Sequence, residues 1–312
     1  MTAPACDPIT SEELADWRRS IGRTETRRQV LDLESLRRYA AAVGADLDVE
    51  RCQPPLAHWA YFLEALDAGS LDSDGHALRD RGFLPPVRLP RRMFASTRIQ
   101  FCEPLRLEHE AELTLTLLSI EHRVNAGGDL VFVEFDRSMR QNGVTCLIES
   151  QTLVYRAAHR ASHPPVPSAV PDRDAEAVWV PTTVDLFRFS AATFNSHRIH
   201  YDLPYARDEE GYPTLVVQGP LTAVKLLAFA QRRFEPAQTI ARFAMRAHAP
   251  LFVGQPVRLA PGQGRDAVQA IRCDGTVAMT ARVTTSAGTG WASFGSCCAQ
   301  LSDGVQQAGC DS

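Results

Sequence analysis

The absences in this chain narrow its function before anything present does. No stretch of the 312 residues approaches the roughly 18 apolar residues of a membrane-spanning helix. The basic residues are mostly Arg, and they come as separated pairs (Arg18-Arg19, Arg27-Arg28, Arg37-Arg38, Arg91-Arg92), never as a tract. With a formal net charge of −4, nothing invites nucleic acid or an anionic membrane surface. No two of the eight cysteines are spaced C-x-x-C, and the adjacent Cys297-Cys298 would make poor joint metal ligands. The stretch MTAPACDPITSEELADW is acidic and lacks an apolar core, so no export signal is expected. Free thiols in a reducing cytoplasm are the expectation. There is no P-loop, no G-x-G-x-x-G and no G-x-S-x-G. The glycines of 126–128 and 262–264 read as hairpin turns. No cofactor is expected.

What is present is an ordinary globular composition, 45% hydrophobic and 22% charged, with enough apolar material for a sizeable core. Length suggests two domains. A Pro-, Ala- and Ser-rich stretch divides the chain, giving an N-terminal domain over 1–156, a linker over 157–177, a C-terminal domain over 178–302 and a tail over 303–312. The halves resemble each other at a nearly fixed distance. Tyr39-Ala40-Ala41-Ala42 falls on Phe189-Ser190-Ala191-Ala192 at an offset of 150, and Pro104-Leu105 on Pro250-Leu251 at 146. Two matches near one offset suggest duplication. Asp32 can cap a helix running to about Val43, with Gly44 as its stop. PPLAHWAYFLEAL, from Pro54, reads as an apolar helix. A second apolar helix starts at Gly219, where Pro220 suits the first turn. Each half then carries a series of alternating, β-rich runs separated by Gly and Asn turns. A helix followed by consecutive strands implies an antiparallel sheet wrapped around it, an α+β fold.

The chemistry concentrates in FSAATFNSHRIHYD, Phe189 to Asp202, and in GYPTLVVQGPL, Gly211 to Leu221. The first places His197 and His200 three apart, between an asparagine and an aspartate. H-x-x-H can ligate zinc, but a third ligand is needed. His248 or Asp202 could be offered, and nothing in the spacing requires either, so no metal is expected.

These two stretches resemble the MaoC-like (R)-specific enoyl-thioester hydratases and dehydratases. That family's motif, S-x-L-T-G-D-x-N-P-x-H-x-D, lies on Ser190 to Asp202 without a gap, and its strand and helix start lie on Gly211 to Leu221. The wording is closer still to the two-hotdog mesaconyl-C4-CoA hydratase branch. PPLAHWAYF and GFLPPVRLPRRM carry that likeness into the N-terminal half. The resemblance implies a double hotdog, two tandem hotdog domains of antiparallel sheet each wrapped around a central helix. It implies one catalytic motif per chain, in the C-terminal half. Where that half has N-S-H-R-I-H-Y-D, the first has residues 45–50 and no histidine, so the N-terminal domain is expected to be non-catalytic.

Hydration of an enoyl thioester needs a base for water and a donor for the thioester oxygen. His200 stands at the family's catalytic histidine and is expected to act as general base in hydration and acid in reverse. Asn195 stands where the wider family has its catalytic Asp. An amide takes no proton at neutral pH, so Asn195 is expected to position water or imidazole through hydrogen bonds. The N–H of Gly219, at a helix start, would polarise the thioester carbonyl. Arg198 could bind a substrate carboxylate bidentately, or sit exposed near the CoA phosphates. His197 would contact substrate or structure the loop. Asp202 would orient an imidazole or act as a turn acid. Tyr212 would shape the acyl pocket, and Gln218 replaces the histidine that commonly precedes the family's glycine.

The implied function is reversible hydration of a branched or dicarboxylic enoyl-CoA, such as mesaconyl-C4-CoA to citramalyl-CoA. The alternatives are a 3-hydroxyacyl-ACP or polyketide-type dehydratase, a thioesterase, or a hotdog that binds acyl thioesters without turnover. Expected partners are an acyl-CoA or acyl-ACP substrate and at most a second copy in a homodimer.

Overall fold

The computed structural model describes residues 7–45, 47–54, 56–125, 127–157, 177–235 and 238–287. The linker expected over 157–177 and the tail expected after residue 302 fall almost wholly outside these residues. The first half contributes α1 (Ser11–Arg18), β1 (Thr24–Val30), α2 (Leu33–Val43), β2 (Arg91–Phe101), β3 (Glu110–Asn125), β4 (Gly128–Gln141) and β5 (Val144–Arg156). The second contributes β6 (Ala177–Trp179), α3 (Thr183–Ala192), α4 (Gly219–Gln231), β7 (Gln238–Ala247), β8 (Val257–Pro261), β9 (Ala267–Ile271) and β10 (Val277–Ala287).

All ten strands join one antiparallel sheet in the order β1-β3-β4-β5-β2-β7-β10-β9-β8-β6. From the centre outward the first half runs 2-5-4-3-1 and the second 7-10-9-8-6, the same order twice. The halves meet at β2 and β7, paired from Ser96 with Arg246 to Gln100 with Arg242. The fold is the α+β double hotdog. Period-2 alternation in the sequence builds it: in β3 the inward residues are Ala111, Leu113, Leu115 and Leu117, and a bulge before Ser119 shifts the phase so that Ile120 points inward again.

The helices follow local signals where nothing competes. Asp32 accepts from Ser35 N–H at 2.7 Å, and Gly44 ends α2 in the left-handed region at φ 69°. Thr182 and Asp185 form a capping box on α3. α2 and α3 pack together through Tyr39 and Phe189, whose ring centroids are 6.2 Å apart. α4 buries Leu221, Val224, Leu226, Leu227 and Phe229 against β7, β9 and β10, as a helix apolar on all sides must.

The apolar helix expected from Pro54 is not formed. Only one 3-10 turn, Ala57–Ala60, appears, and Leu56 and Phe62 on either side have positive φ. Tertiary partners outbid the helical ladder. Trp59 Nε1 donates to Glu149 at 3.1 Å, His58 Nε2 lies 3.2 Å from the same carboxylate, and Gln29 takes the Phe62 N–H at 2.6 Å. The chain then makes an irregular excursion to β2, closed by a bridge between Leu71 and Ala77. In the second half the excursion comes earlier, between α3 and α4. The two excursions meet.

Candidate active site

The junction between the excursions is built on backbone carbonyls of the first. Ser196 Oγ donates to Gly75 O at 2.5 Å, Arg198 N–H to Asp74 O at 2.9 Å, and Arg198 Nη1 to Ser73 O at 2.9 Å. Gly75 has φ +87°, and a Cβ there would collide with the carbonyl oxygen of Ser196. Only glycine allows this approach.

Beside this junction lies a cleft of about 810 Å³, lined by His76, Arg92, Asn195, His197, His200 and Gly219 among others. A second chamber of about 330 Å³ shares Arg92, Phe94, Asn195 and Pro220 with it. The site therefore draws on both halves of the chain.

His200 is buried at 7% exposure. Its Nδ1 lies 2.7 Å from the carbonyl oxygen of Val216. A carbonyl only accepts, so the proton sits on Nδ1 and Nε2 keeps a free lone pair. Burial, reinforced by neighbouring His197, pushes its pKa down to about 3, so the imidazole is neutral. Gly219 N–H begins α4 and has no acceptor among the described residues. A methyl there would press on Phe94 at 3.4 Å. Asn195 Oδ1 accepts the His197 N–H at 3.0 Å, which leaves the amide NH₂ for the cleft.

Three imidazoles adjoin. The His197 ring lies tilted against His76 with centroids 4.1 Å apart and meets His200 edge-on at 5.4 Å. His197 Nε2 lies 3.9 Å from Glu210, which is ion-paired with Arg91 and accepts from Tyr205 OH. His76 is bonded to Asp74 twice, Nδ1 to Oδ2 at 3.0 Å and N–H to Oδ1 at 2.8 Å. Asp74, His76 and His197 bring one oxygen and two ring nitrogens within 4.8 Å of one another. Within it Asp74 and His76 are already hydrogen-bonded to each other, and the His197 ring lies tilted against that pair.

Three expectations change in detail. Arg198 does not line the cleft; its guanidinium bonds Asp202 at 2.9 and 2.7 Å and lies over the Tyr205 ring at 4.1 Å. Asp202 accordingly orients no imidazole; besides Arg198 it accepts the Tyr205 N–H at 3.1 Å. Gln218 lines the cleft but is fully buried, and its Nε2 ties α4 to α3 through Leu186 O and Ser190 Oγ, both at 2.9 Å. Tyr212 does line the cleft, with its ring 6.3 Å from Phe252. The arginine that lines both chambers is Arg92, which has no carboxylate within ion-pair distance among the described residues. Sequence reasoning also missed Asp74 and His76. Their only signal was a histidine in a turn-rich stretch, LDSDGHALRD, that no helix or strand claims.

A neutral buried imidazole and a helix N-terminus thus line one cleft of a double hotdog, an arrangement compatible with acyl-thioester hydro-lyase chemistry. Comparison with known proteins agrees. Residues 56–253 match the family model for hydroxyacyl-thioester dehydratase type 2, and the chain belongs to that family of thioester hydratases and dehydratases. A mesaconyl-C(4)-CoA hydratase from Chloroflexus aurantiacus is 42% identical over 280 residues, covering 86% of this chain and 98% of that protein. The mitochondrial hydroxyacyl-thioester dehydratase type 2 of Schizosaccharomyces pombe is 33% identical over 70% of this chain and 80% of its own. Among solved structures, HtdX of Mycobacterium tuberculosis superposes with a TM-score of 0.58 at 19% identity, over 83% of this chain and 98% of that one. A second protein of that organism, described as a double hotdog, gives 0.52 at 13% identity, over 87% and 97%. At these identities the structures speak for the fold.

Proposed function

We propose that the chain reversibly hydrates a branched, carboxylated enoyl-CoA of the mesaconyl-C4-CoA type, giving the 3-hydroxy thioester, citramalyl-CoA for that substrate. The observation that carries this is His200, neutral and buried, with Nδ1 committed to a carbonyl and Nε2 free in the cleft. Nε2 takes a proton from water as the water oxygen bonds to Cβ. The π electrons move toward the thioester, where Gly219 N–H meets the developing oxyanion. The imidazolium then gives its proton to Cα, so water adds across the bond and the histidine returns to neutral. Dehydration is the same path reversed. The Asn195 amide supports the water or the acyl group as a hydrogen-bond donor.

The acyl class rests on Arg92. A guanidinium without an internal counter-charge, at the meeting of two chambers, suits a carboxylate on the reacting acyl group. Arg156 and Arg246, also lining the cleft, suit the phosphates of CoA. The 42% identical hydratase names a substrate of this kind. The test follows loss of the conjugated thioester with mesaconyl-C4-CoA and crotonyl-CoA side by side, with product mass confirming added water. Turnover of the first should predominate. Arg92→Met should cost that substrate about 50- to 100-fold in kcat/KM, the scale of a lost charge-assisted pair, and crotonyl-CoA far less. Arg198→Ala should lower both alike. Equal losses on Arg92→Met would remove the carboxylate reading, and preference for crotonyl-CoA would make the protein a general hydratase.

A further inference from the structure

The catalytic stretch of the second half carries an amide, Asn195, where the family it resembles has a carboxylate. One ionisable group is thus missing beside His200, and the fold brings another from the first half. Asp74 and His76 sit on the first excursion, docked onto the Asn195–Arg198 loop by the three hydrogen bonds at Ser73, Asp74 and Gly75. Two bonds to one carboxylate fix the His76 ring. The Asp74 carboxyl is 9% exposed; burial works to raise its pKa, but the two hydrogen bonds from His76 outweigh it and hold the group ionised, well below the usual carboxylate range, while burial and the Arg92 charge push His76 itself down to about 3 and keep its ring neutral. An ionised carboxylate at Nδ1 puts the ring proton there. Nε2 of His76 then has a free lone pair, and no described residue donates to it. His76 lines the same cleft as His200, Asn195 and Gly219.

We propose that His76, held by Asp74, is a second catalytic imidazole of this site, contributed by the N-terminal half, whose Nε2 accepts a hydrogen bond from the attacking water. This rests on the hydratase reading above and adds a group to it. A water has two hydrogens. One leaves to His200 Nε2 as the oxygen bonds to Cβ. The other stays on the product hydroxyl and is held by His76 Nε2, which aims the oxygen lone pair at Cβ. No proton is gained or lost beyond the hydration itself. In the reverse direction His76 holds the departing hydroxyl until His200 returns its proton. Asp74 acts through His76 and is a positioning residue. The N-terminal half, expected to be non-catalytic, then takes part in the chemistry.

Two measurements test this. In turnover, His76→Ala should lower kcat about 100-fold with KM little changed. His76→Gln, whose carbonyl oxygen reaches near the place of Nε2, should recover much of that loss. Asp74→Asn should give a smaller loss in kcat. In binding, the His200→Ala background removes turnover, and affinity is compared for 3-hydroxybutyryl-CoA and butyryl-CoA. The hydroxy thioester should bind about 3- to 10-fold tighter, the scale of one hydrogen bond, and added His76→Ala should abolish that preference. A wild type silent on every enoyl-CoA would overturn the hydratase reading, while the binding preference would still report on His76. Unchanged kcat in His76→Ala, a loss that Gln does not relieve, or a hydroxyl preference that survives His76→Ala would overturn the proposal. So would activity removed by a chelator and restored by zinc, because the cluster would then be a metal site.

Discussion

His58 in the first half of the molecule and His200 in the second are both buried, in opposite settings. His58 is fully buried with Nε2 facing Glu149, on which Trp59 Nε1, Thr97 Oγ1 and Gln151 Nε2 also converge at 3.1, 2.9 and 2.8 Å. Arg137 adds its charge at 3.4 Å. Burial works to raise the Glu149 pKa, but the His58 bond and the Arg137 charge outweigh it and bring the value down to about 2. That carboxylate is saturated, and it shapes the turn that replaces a helix. His200 is held at Nδ1 by one carbonyl and lines the cleft. His58 also leaves a ring nitrogen, Nδ1, without a hydrogen-bond partner among the described residues, so access is what separates the two: His58 lines neither chamber, whereas His200 lines the larger.

The sharpest way to break this comparison is to truncate both histidines. His200→Ala should lower kcat by about 10²- to 10⁴-fold while the protein stays folded. His58→Ala should lower stability and leave the folded fraction active. Equal kinetic losses in the two variants would erase the distinction. Next in size, Glu149→Ala leaves Arg137 buried without its counter-charge and should cost about 3–5 kcal/mol in denaturant unfolding. A much smaller loss would mean that water reaches the network.

The smallest effect is in pH. His200 titrates near 6.5 when unfolded and near 3 when folded. Between these values the unfolded chain binds a proton that the folded chain does not, so stability falls as pH drops from about 6.5 toward about 3. From pH 6.5 to 5 the contribution approaches about 2 kcal/mol. His200→Gln should lose that slope, and a variant with the wild-type pH dependence of unfolding would show that His200 is solvated.

The legible parts of this protein were those written in contiguous residues. Ser190 to Asp202 carries its own loop, so His200 and Asn195 could be placed in the cleft from order alone. The ends of α2 and the start of α4 follow from Asp32, Gly44 and Pro220. The apolar stretch from Pro54 misled because its periodicity is helical while its side chains and backbone donors find better partners in Glu149 and Gln29, far away in sequence. Arg198 misled for the converse reason: it lies two residues from His200 in sequence, yet its charge is met by Asp202 four residues on.

Local order thus sufficed for the class of fold and for placing one buried imidazole, His200, in the cleft, since hydrophobic period, caps and motif spacing act over a few residues. The company that imidazole keeps was a matter of packing. Arg92 reaches the cleft because β2 lies beside β7 in the sheet, and His76 because Gly75 lets one half's loop lie against the other's. Such contacts join residues more than a hundred positions apart, and their energies come from a geometry that exists only once both halves have folded.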